Sequence, residues 1–321
     1  MLAAYVDSIN PNSPLSGLVV GERPSPKPPE GWATVTVKAA ALNHHDIWSL
    51  KGVGLREDQL PMILGGDASG IDEDGNEVVV HSVISSPDWT GDDTLDPRRS
   101  LLSERYDGTL AEQVVVPRKN LVAKPASISF EEAACLPTAW LTAYRMLFGK
   151  LDLAPGSTVL IQGAGGGVST AAITLAKAAG LRVWVTTRNE AKQQLARSLG
   201  ADEVFESGAR LPERVDGVVD NVGEATWAHS LRALKPGGAV VTCGATSGPN
   251  PAADLNRVFF LQLRVLGSTM GSRDELGRLL ALLEHTSIRP HIDSVLPLAE
   301  ARAGLERLET GSVQGKVVLV P

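Results

Sequence analysis

Hydrophobic positions along this chain change their period near residue 124. Before that point apolar residues fall in short alternating runs, at 33–38, 76–81 and 110–117, divided by turn formers such as the proline-rich stretch 24–29. Period-two runs of this kind predict strands, and so a compact β-rich domain. Residues 85–107 show no clear period and read as a surface lobe or mobile loop whose charges are solvated. From about 125 the texture becomes strand, helix, strand. Strands are expected at 158–162, 182–186, 202–205, 215–220, 239–243 and 264–267, with helices at 168–179, closed by Gly180, at 190–199, closed by Gly200, and at 273–283. The tail from Val295 predicts a helix followed by one β-run ending at Val320, which rejoins the first domain.

The apolar run 158–162 opens into Gly163, Ala164, Gly165, Gly166, Gly167 and Val168. A buried strand that turns sharply into a helix leaves free N–H groups at the helix start, and only glycine lets a pyrophosphate come that close to the backbone. With a second strand following the helix, this is one βαβ unit and reads as a dinucleotide-binding turn. The spacing of later strands suits a doubly wound, six-stranded parallel α/β sheet.

With 321 residues the chain is long enough for two domains. A net charge of −7, with Lys and Arg scattered, argues against nucleic-acid binding and for a small-molecule substrate. No stretch reaches the roughly 18 apolar residues that span a bilayer, so no membrane association is expected. The two cysteines, Cys135 and Cys243, exclude a disulfide framework and a cysteine zinc module, and fit a cytoplasmic location.

The order of a β-rich half, a nucleotide-binding sheet and a short return resembles the medium-chain dehydrogenase/reductase superfamily. Residues 133–144, 163–169, 220–223, 234–238 and 315–319 together resemble its zinc-independent quinone oxidoreductase branch. The resemblance implies a GroES-like catalytic domain over 1–124, a Rossmann domain over 125–288, and a return segment over 289–321 that completes the first. It also implies a homodimer paired along the edge strand near Leu263–Gly267. The zinc alcohol dehydrogenases of the superfamily hold their catalytic metal where this chain has Asn43, Gly66 and Thr138, none of them a normal ligand there. The lobe 85–107 has no cysteine where those enzymes place a structural zinc, so no zinc is expected. His44, His45, His81 and Asp67 are candidates for an unrelated metal site, but scattered histidines read first as packing or substrate-contact residues.

The resemblance places 42–48 in an interdomain cleft. Asn43 then contacts the nicotinamide ribose or a substrate oxygen, His45 occupies a proton-relay position, Trp48 walls the substrate pocket, and Thr138 sets a hydroxyl near the nicotinamide. For His45 the alternative is a helix-start histidine satisfied by backbone. Asp46 reads as a helix cap or structural acceptor. Asn221, Val222, Gly244, Ala245 and Thr246 follow the cofactor from adenosine to nicotinamide, and Ser268, Thr269 and Met270 lie near the ring. Where NAD-preferring sites carry an acid, this chain has Thr187 and then Arg188, which favours NADPH over NADH. The alternative leaves Arg188 solvated and makes Asn189 a cap for the next helix. The function expected is zinc-independent, NADPH-dependent reduction of a quinone or an α,β-unsaturated carbonyl. The alternatives are a zinc-type alcohol dehydrogenase-like enzyme and a cofactor-binding protein without turnover.

Overall fold

The computed structural model describes residues 1–321 and divides them into two compact units, Met1–Leu141 with Gly271–Pro321, and Thr142–Met270. The central strand of the first unit is Trp32–Ala41, in which Ala33, Val35 and Val37 are buried and alternate with exposed or half-buried residues. It pairs antiparallel with Asp67–Asp72, Gln113–Pro117 and the C-terminal strand Lys316–Val320, inside a seven-stranded sheet. Its register against Asp67–Asp72 shifts between Val37 and Ala39, and there the two backbones close on one another. A Cβ on Gly70 would stand 2.2 Å from the Thr36 carbonyl oxygen, so only glycine fits. Val35, Val37, Leu42, Leu64, Leu110 and Leu319 lie in the core that closes over this sheet.

The second unit carries six parallel strands in the order Glu203–Glu206, Arg182–Thr187, Thr158–Gln162, Val215–Asp220, Leu234–Thr242 and Arg264–Gly267. The sheet is the doubly wound one expected. Thr158–Gln162 is buried along its whole length, as a strand covered on both faces must be. It lies at the switch point where the strand order reverses, the place at which such sheets bind ligands beyond their strand ends.

Several particulars differ from expectation. The compact units divide at 141/142 and 270/271 rather than near 124 and 288. Helix Phe130–Ala134 packs on the first unit's sheet, where the Ser69 hydroxyl donates to the Phe130 carbonyl at 2.6 Å. Helix Arg273–His285 is held there as well, through His81 donating to Gly271 O and Arg273 donating to Asp93. A strand at Ile292–Pro297 precedes helix Ala301–Glu309, hidden from the periodicity by Asp293 and Ser294. Strand Leu234–Thr242 begins before 239, because Leu234 pairs with Val215 ahead of a register shift.

In the lobe 85–107 Asp88, Arg98, Arg99, Arg105 and Asp107 are exposed, as expected of solvated charges, but one carboxylate is not. Asp96 is fully buried and accepts from the Ser86 N–H and hydroxyl at 2.6 Å each and from the Arg98 N–H at 2.8 Å. Burial opposes its ionisation, yet these donors hold its carboxyl down at about 2. No helix is long and apolar enough to cross a membrane.

The Gly70→Ala variant is expected to lose about 1–3 kcal/mol of stability through overpacking, read as a lower urea midpoint. An unchanged midpoint would show that the strands can part there at little cost.

Candidate active site

Helix His44–Leu50 starts directly after the central strand of the first unit. Asp46 fixes that start by accepting from the Asn43 N–H at 2.8 Å and the Gly65 N–H at 3.0 Å. The role expected of Asp46 as a structural acceptor is therefore what the geometry shows. Burial raises its carboxyl to about 6, against the opposing pull of the Asn43 hydrogen bond and the charges of His45 and Lys316.

The Asn43 side chain does not cap the helix. Its Nδ2 donates to Asp67 Oδ2 at 2.8 Å and to Ala41 O at 3.3 Å, and its Oδ1 accepts from Lys316 Nζ at 2.7 Å. Both amide hydrogens are thus spent. This corrects one expectation: Asn43 has no hydrogen left for a substrate oxygen, although Oδ1 keeps a lone pair that a ribose hydroxyl can use. Lys316 was not singled out from the sequence. Its ammonium is buried, and its three donors go to Leu42 O at 2.7 Å, Asn43 Oδ1, and Asp67 Oδ2 at 3.2 Å.

His45 is not satisfied by backbone. Its Nε2 meets Glu104 Oε1 at 3.0 Å, and both side chains are about a quarter exposed, at 29% and 26%. Burial lowers its pKa, but the Glu104 hydrogen bond and the charges of Asp46, Glu104 and Asp67 outweigh that and raise it above the usual imidazole value. Glu104 comes from the lobe that showed no period, so no spacing rule connects it with His45. Trp48 lies on the same helix, half-buried, with Lys51 Nζ 5.2 Å from its ring centre. Thr138 sits in the π-helical turn Leu136–Trp140, an irregularity that re-aims side chains and recurs at functional sites. Its Oγ1 is 3.6 Å from where a Cβ on Gly66 would stand, so the structure brings Gly66 and Thr138 together.

In the second unit Gly163 adopts φ +82°, a conformation that needs glycine, and its N–H donates to Thr186 O at 2.9 Å. Ala164, Gly165 and Gly166 complete the turn, and helix Gly167–Ala178 begins with the N–H groups of Gly167 and Val168 lacking helical partners. Ser169 takes a position where a third glycine packs helix on sheet, and it is accommodated: its Oγ is 3.8 Å from the Cβ position of Gly163. Asp220 shapes the facing turn by accepting from the Val222 and Gly223 N–H groups at 2.9 and 3.0 Å. Val222 Cγ2 then lies 3.7 Å from the Cβ position of Gly163. Asn221 and Val222 meet the neighbouring loop, where Ser247 donates to Val222 O, which gathers Gly244, Ala245 and Thr246 at the same strand ends.

At the next strand end Ser268 donates its N–H to Thr242 O, its own hydroxyl is buried without a partner, Thr269 is exposed, and Met270 takes φ +48°. Thr187 is buried and Arg188 exposed. Asn189 caps helix Glu190–Ser198, accepting from the Lys192 N–H, as the alternative reading had it. Lys192 is a residue the motif missed: its Nζ is 2.9 Å from where a Cβ on Gly165 would stand. A cation in the first turn of the helix after Arg188 was the available signal.

Both units resemble known proteins. Residues 29–126 match the alcohol dehydrogenase GroES-like domain and 167–285 the zinc-binding dehydrogenase model. Acryloyl-coenzyme A reductase of Metallosphaera sedula is 32% identical over 94% of this chain and 96% of its own. The chain belongs to the medium-chain dehydrogenase/reductase superfamily. Within this superfamily of nicotinamide-dependent oxidoreductases, a crystal structure of an NAD-dependent alcohol dehydrogenase is similar at TM-score 0.92 and 38% identity, covering all of both chains. A 2-octenoyl-CoA carboxylase reductase solved with NADP and 2-octenoyl-CoA reaches TM-score 0.92 at 25% identity, over 99% of this chain and 87% of its own.

The superfamily's zinc does not fit the residues present. An amide already committed to Lys316 and Asp67, a glycine and a hydroxyl stand at the three positions, and no group of three or more His, Cys, Asp or Glu gathers anywhere to hold a metal. His81 is held by Gly271 O, His45 by Glu104, and Asp67 by Asn43 and Lys316, so the four groups considered for an unrelated site are already engaged apart or, like His44, left alone.

Because His45 binds its proton more tightly when folded, it stabilises the protein below pH 6.5, and that contribution is lost as pH rises through its raised value. Glu104→Gln is expected to bring the His45 NMR titration midpoint down and to flatten the fall in stability above pH 6.5. An unmoved midpoint would remove Glu104 as the cause.

Proposed function

We propose that this protein reduces quinones or α,β-unsaturated carbonyl compounds with NADPH and without zinc. The observation that carries the reading is the occupancy of the metal-ligand positions by Asn43, Gly66 and Thr138, with the Lys316 ammonium bonded into the same cluster. A simple ketone gains most from a Lewis acid that takes up charge on its oxygen, whereas a conjugated carbonyl spreads that charge and is well served by hydrogen-bond donors. The acids named in acryloyl-CoA and 2-octenoyl-CoA are themselves conjugated, which supports this class.

The reduced dinucleotide supplies the hydride. Around it the chain's own residues have separable roles. The glycine turn 163–167 and the N–H groups of Gly167 and Val168 receive the pyrophosphate. Arg188 and Lys192 pair with the 2′-phosphate, and Thr187, where an acid would repel that group, donates to it. Asn43 Oδ1 accepts from the nicotinamide ribose, while Ser268, Thr269 and Met270 flank the ring. His45, whose imidazolium form Glu104 favours, supplies the proton, and Trp48 walls the substrate pocket. The homologue named as NAD-dependent makes the cofactor preference the sharpest point to test.

The partner proposed is a second copy of the chain. Strand Arg264–Gly267 is a sheet edge whose Val265 is 48% exposed, and Leu255, Phe259 and Phe260 on the helix just before it are 69, 68 and 79% exposed, leaving apolar side chains at an unpaired edge.

Fluorescence titration is expected to give tighter binding of NADPH than of NADH. Arg188→Ala with Lys192→Ala should weaken NADPH about tenfold or more while leaving NADH nearly unchanged. A wild-type preference for NADH would overturn the assignment. Zinc retained stoichiometrically after purification would favour the alcohol dehydrogenase alternative, and NADPH binding without turnover of any quinone or enone would favour a non-enzymatic role. Phe260→Glu is expected to shift the protein from dimer to monomer in light scattering; a wild-type monomer would refute the dimer.

A further inference from the structure

Glu104 is held by more than its contact with His45. Its carbonyl oxygen accepts from Gln59 Nε2 at 2.6 Å, and Gln59 Oε1 accepts from the Arg56 N–H at 2.9 Å, so one amide ties the loop after helix His44–Leu50 to the lobe. The Glu104 N–H donates to Leu101 O at 3.3 Å, closing a turn from which the Leu101 N–H reaches back to Glu104 Oε2 at 3.4 Å. The carboxylate then lies against bare backbone. A Cβ on Gly54 would stand 2.7 Å from Oε1, the oxygen that meets His45 Nε2, and 3.2 Å from Cδ. Any side chain at position 54 therefore displaces that carboxylate.

We propose that Gln59 and Gly54 are positioning residues of the His45–Glu104 pair: Gln59 anchors the backbone of Glu104, and Gly54 leaves its carboxylate the room to hold Nε2. With Nε2 engaged, the second ring nitrogen, Nδ1, makes no hydrogen bond, on a side chain still open to solvent. A carboxylate on one imidazole nitrogen fixes the ring and leaves the other nitrogen to exchange a proton. Nδ1 is thus the atom that serves the substrate, a step that rests on the reductase reading. Once hydride addition has made the substrate an enolate, the Nδ1–H bond of the imidazolium breaks and the proton passes to the enolate. The bonding pair stays on Nδ1, and neutral His45 keeps its Nε2 proton on Glu104. Asp46 on the same helix and Asp67 on strand Asp67–Asp72 also favour the imidazolium, and neither belongs to the loop that carries Gly54 and Gln59.

Gly54→Ala is the decisive variant, with Gly75→Ala beside it. Both glycines have positive φ, +79° and +86°, but a Cβ on Gly75 meets nothing within 4 Å, so that variant bears the backbone strain without the contact. The first readout is the NMR titration midpoint of His45 in the protein alone. It is expected to fall in Gly54→Ala and in Gln59→Leu, towards the value in Glu104→Gln, and to stay in place in Gly75→Ala. Gly54→Ala added to Glu104→Gln should move it no further, since the carboxylate it displaces is already gone. With NADPH and 2-cyclohexenone, kcat should fall about tenfold in Gly54→Ala, and the pH above which kcat declines should move down with the midpoint, while KM for NADPH does not change. A midpoint unmoved in Gly54→Ala, or one that falls as far in Gly75→Ala, overturns the role of Gly54 whatever the turnover, and a midpoint unmoved in Gln59→Leu overturns that of Gln59. A midpoint that falls with kcat unchanged upholds the positioning and rejects His45 as the proton donor. A wild type that does not reduce the enone counts against the reductase reading, while the midpoints still decide the positioning.

Discussion

The Lys316 ammonium, buried against Asp67 and Asn43, is the interaction on which the first unit's site depends. A charge taken out of water is tolerated only where every donor is met, and Lys316 meets Leu42 O, Asn43 Oδ1 and Asp67 Oδ2 at once. Those acceptors come from the end of the central strand, the start of helix His44–Leu50 and the first residue of strand Asp67–Asp72. The lysine itself begins the C-terminal strand. One side chain thereby ties the last element of the chain to the segment proposed to carry the reaction, and leaving either charge alone in this interior would cost about 3–5 kcal/mol.

The same ammonium balances the buried charge in this part of the first unit. Asp67 remains as a buried carboxylate, and Lys316 supplies the positive charge beside it. Asn43 is then held by two fixed partners, with its donors used up and its carbonyl oxygen alone available for further contact. Polar groups facing Gly66 are hydroxyls, which can donate without carrying charge. The lobe 85–107 takes part in this arrangement, since it contributes Glu104 to His45 while Asp96 and Ser86 brace it internally.

In the second unit the glycine turn is supported from below by a buried polar network. Gln162 donates to His229 Nδ1 at 2.9 Å and to Ser230 Oγ at 3.0 Å, His229 Nε2 donates to Ala209 O, and Ser230 donates to Asp220 at 2.6 Å. Thr186 donates to Gln162 Oε1. The ends of strands Thr158–Gln162, Arg182–Thr187 and Val215–Asp220 are thus locked together through side chains. Asp220 passes that constraint to the backbone of Val222 and Gly223. Satisfied networks of this kind are rigid, which is what a phosphate-binding turn requires.

Much of this architecture was legible along the chain, because it rests on local periodicity. The six parallel strands, the turn at 163–167 and the helix behind it follow from an apolar run, a glycine cluster and a 3.6-residue repeat. The choice of Asn43, Gly66 and Thr138 as the positions to compare with a zinc site came from the family resemblance and not from any periodicity. Strand Ile292–Pro297 escaped because its polar residues break the pattern that its parallel pairing with Lys316–Val320 restores. Helix Leu255–Phe260 escaped because its apolar residues face outward. The partners of the site residues were decided only by tertiary structure. Glu104 reaches His45 across 59 residues and Lys316 reaches Asn43 across 273, separations at which no spacing rule operates. The sequence by itself determined the six strands of the parallel sheet and the glycine turn between the first of them and its helix. The folded chain decided which buried charges and hydroxyls meet, since desolvation makes each of them depend on a partner that only packing brings within reach.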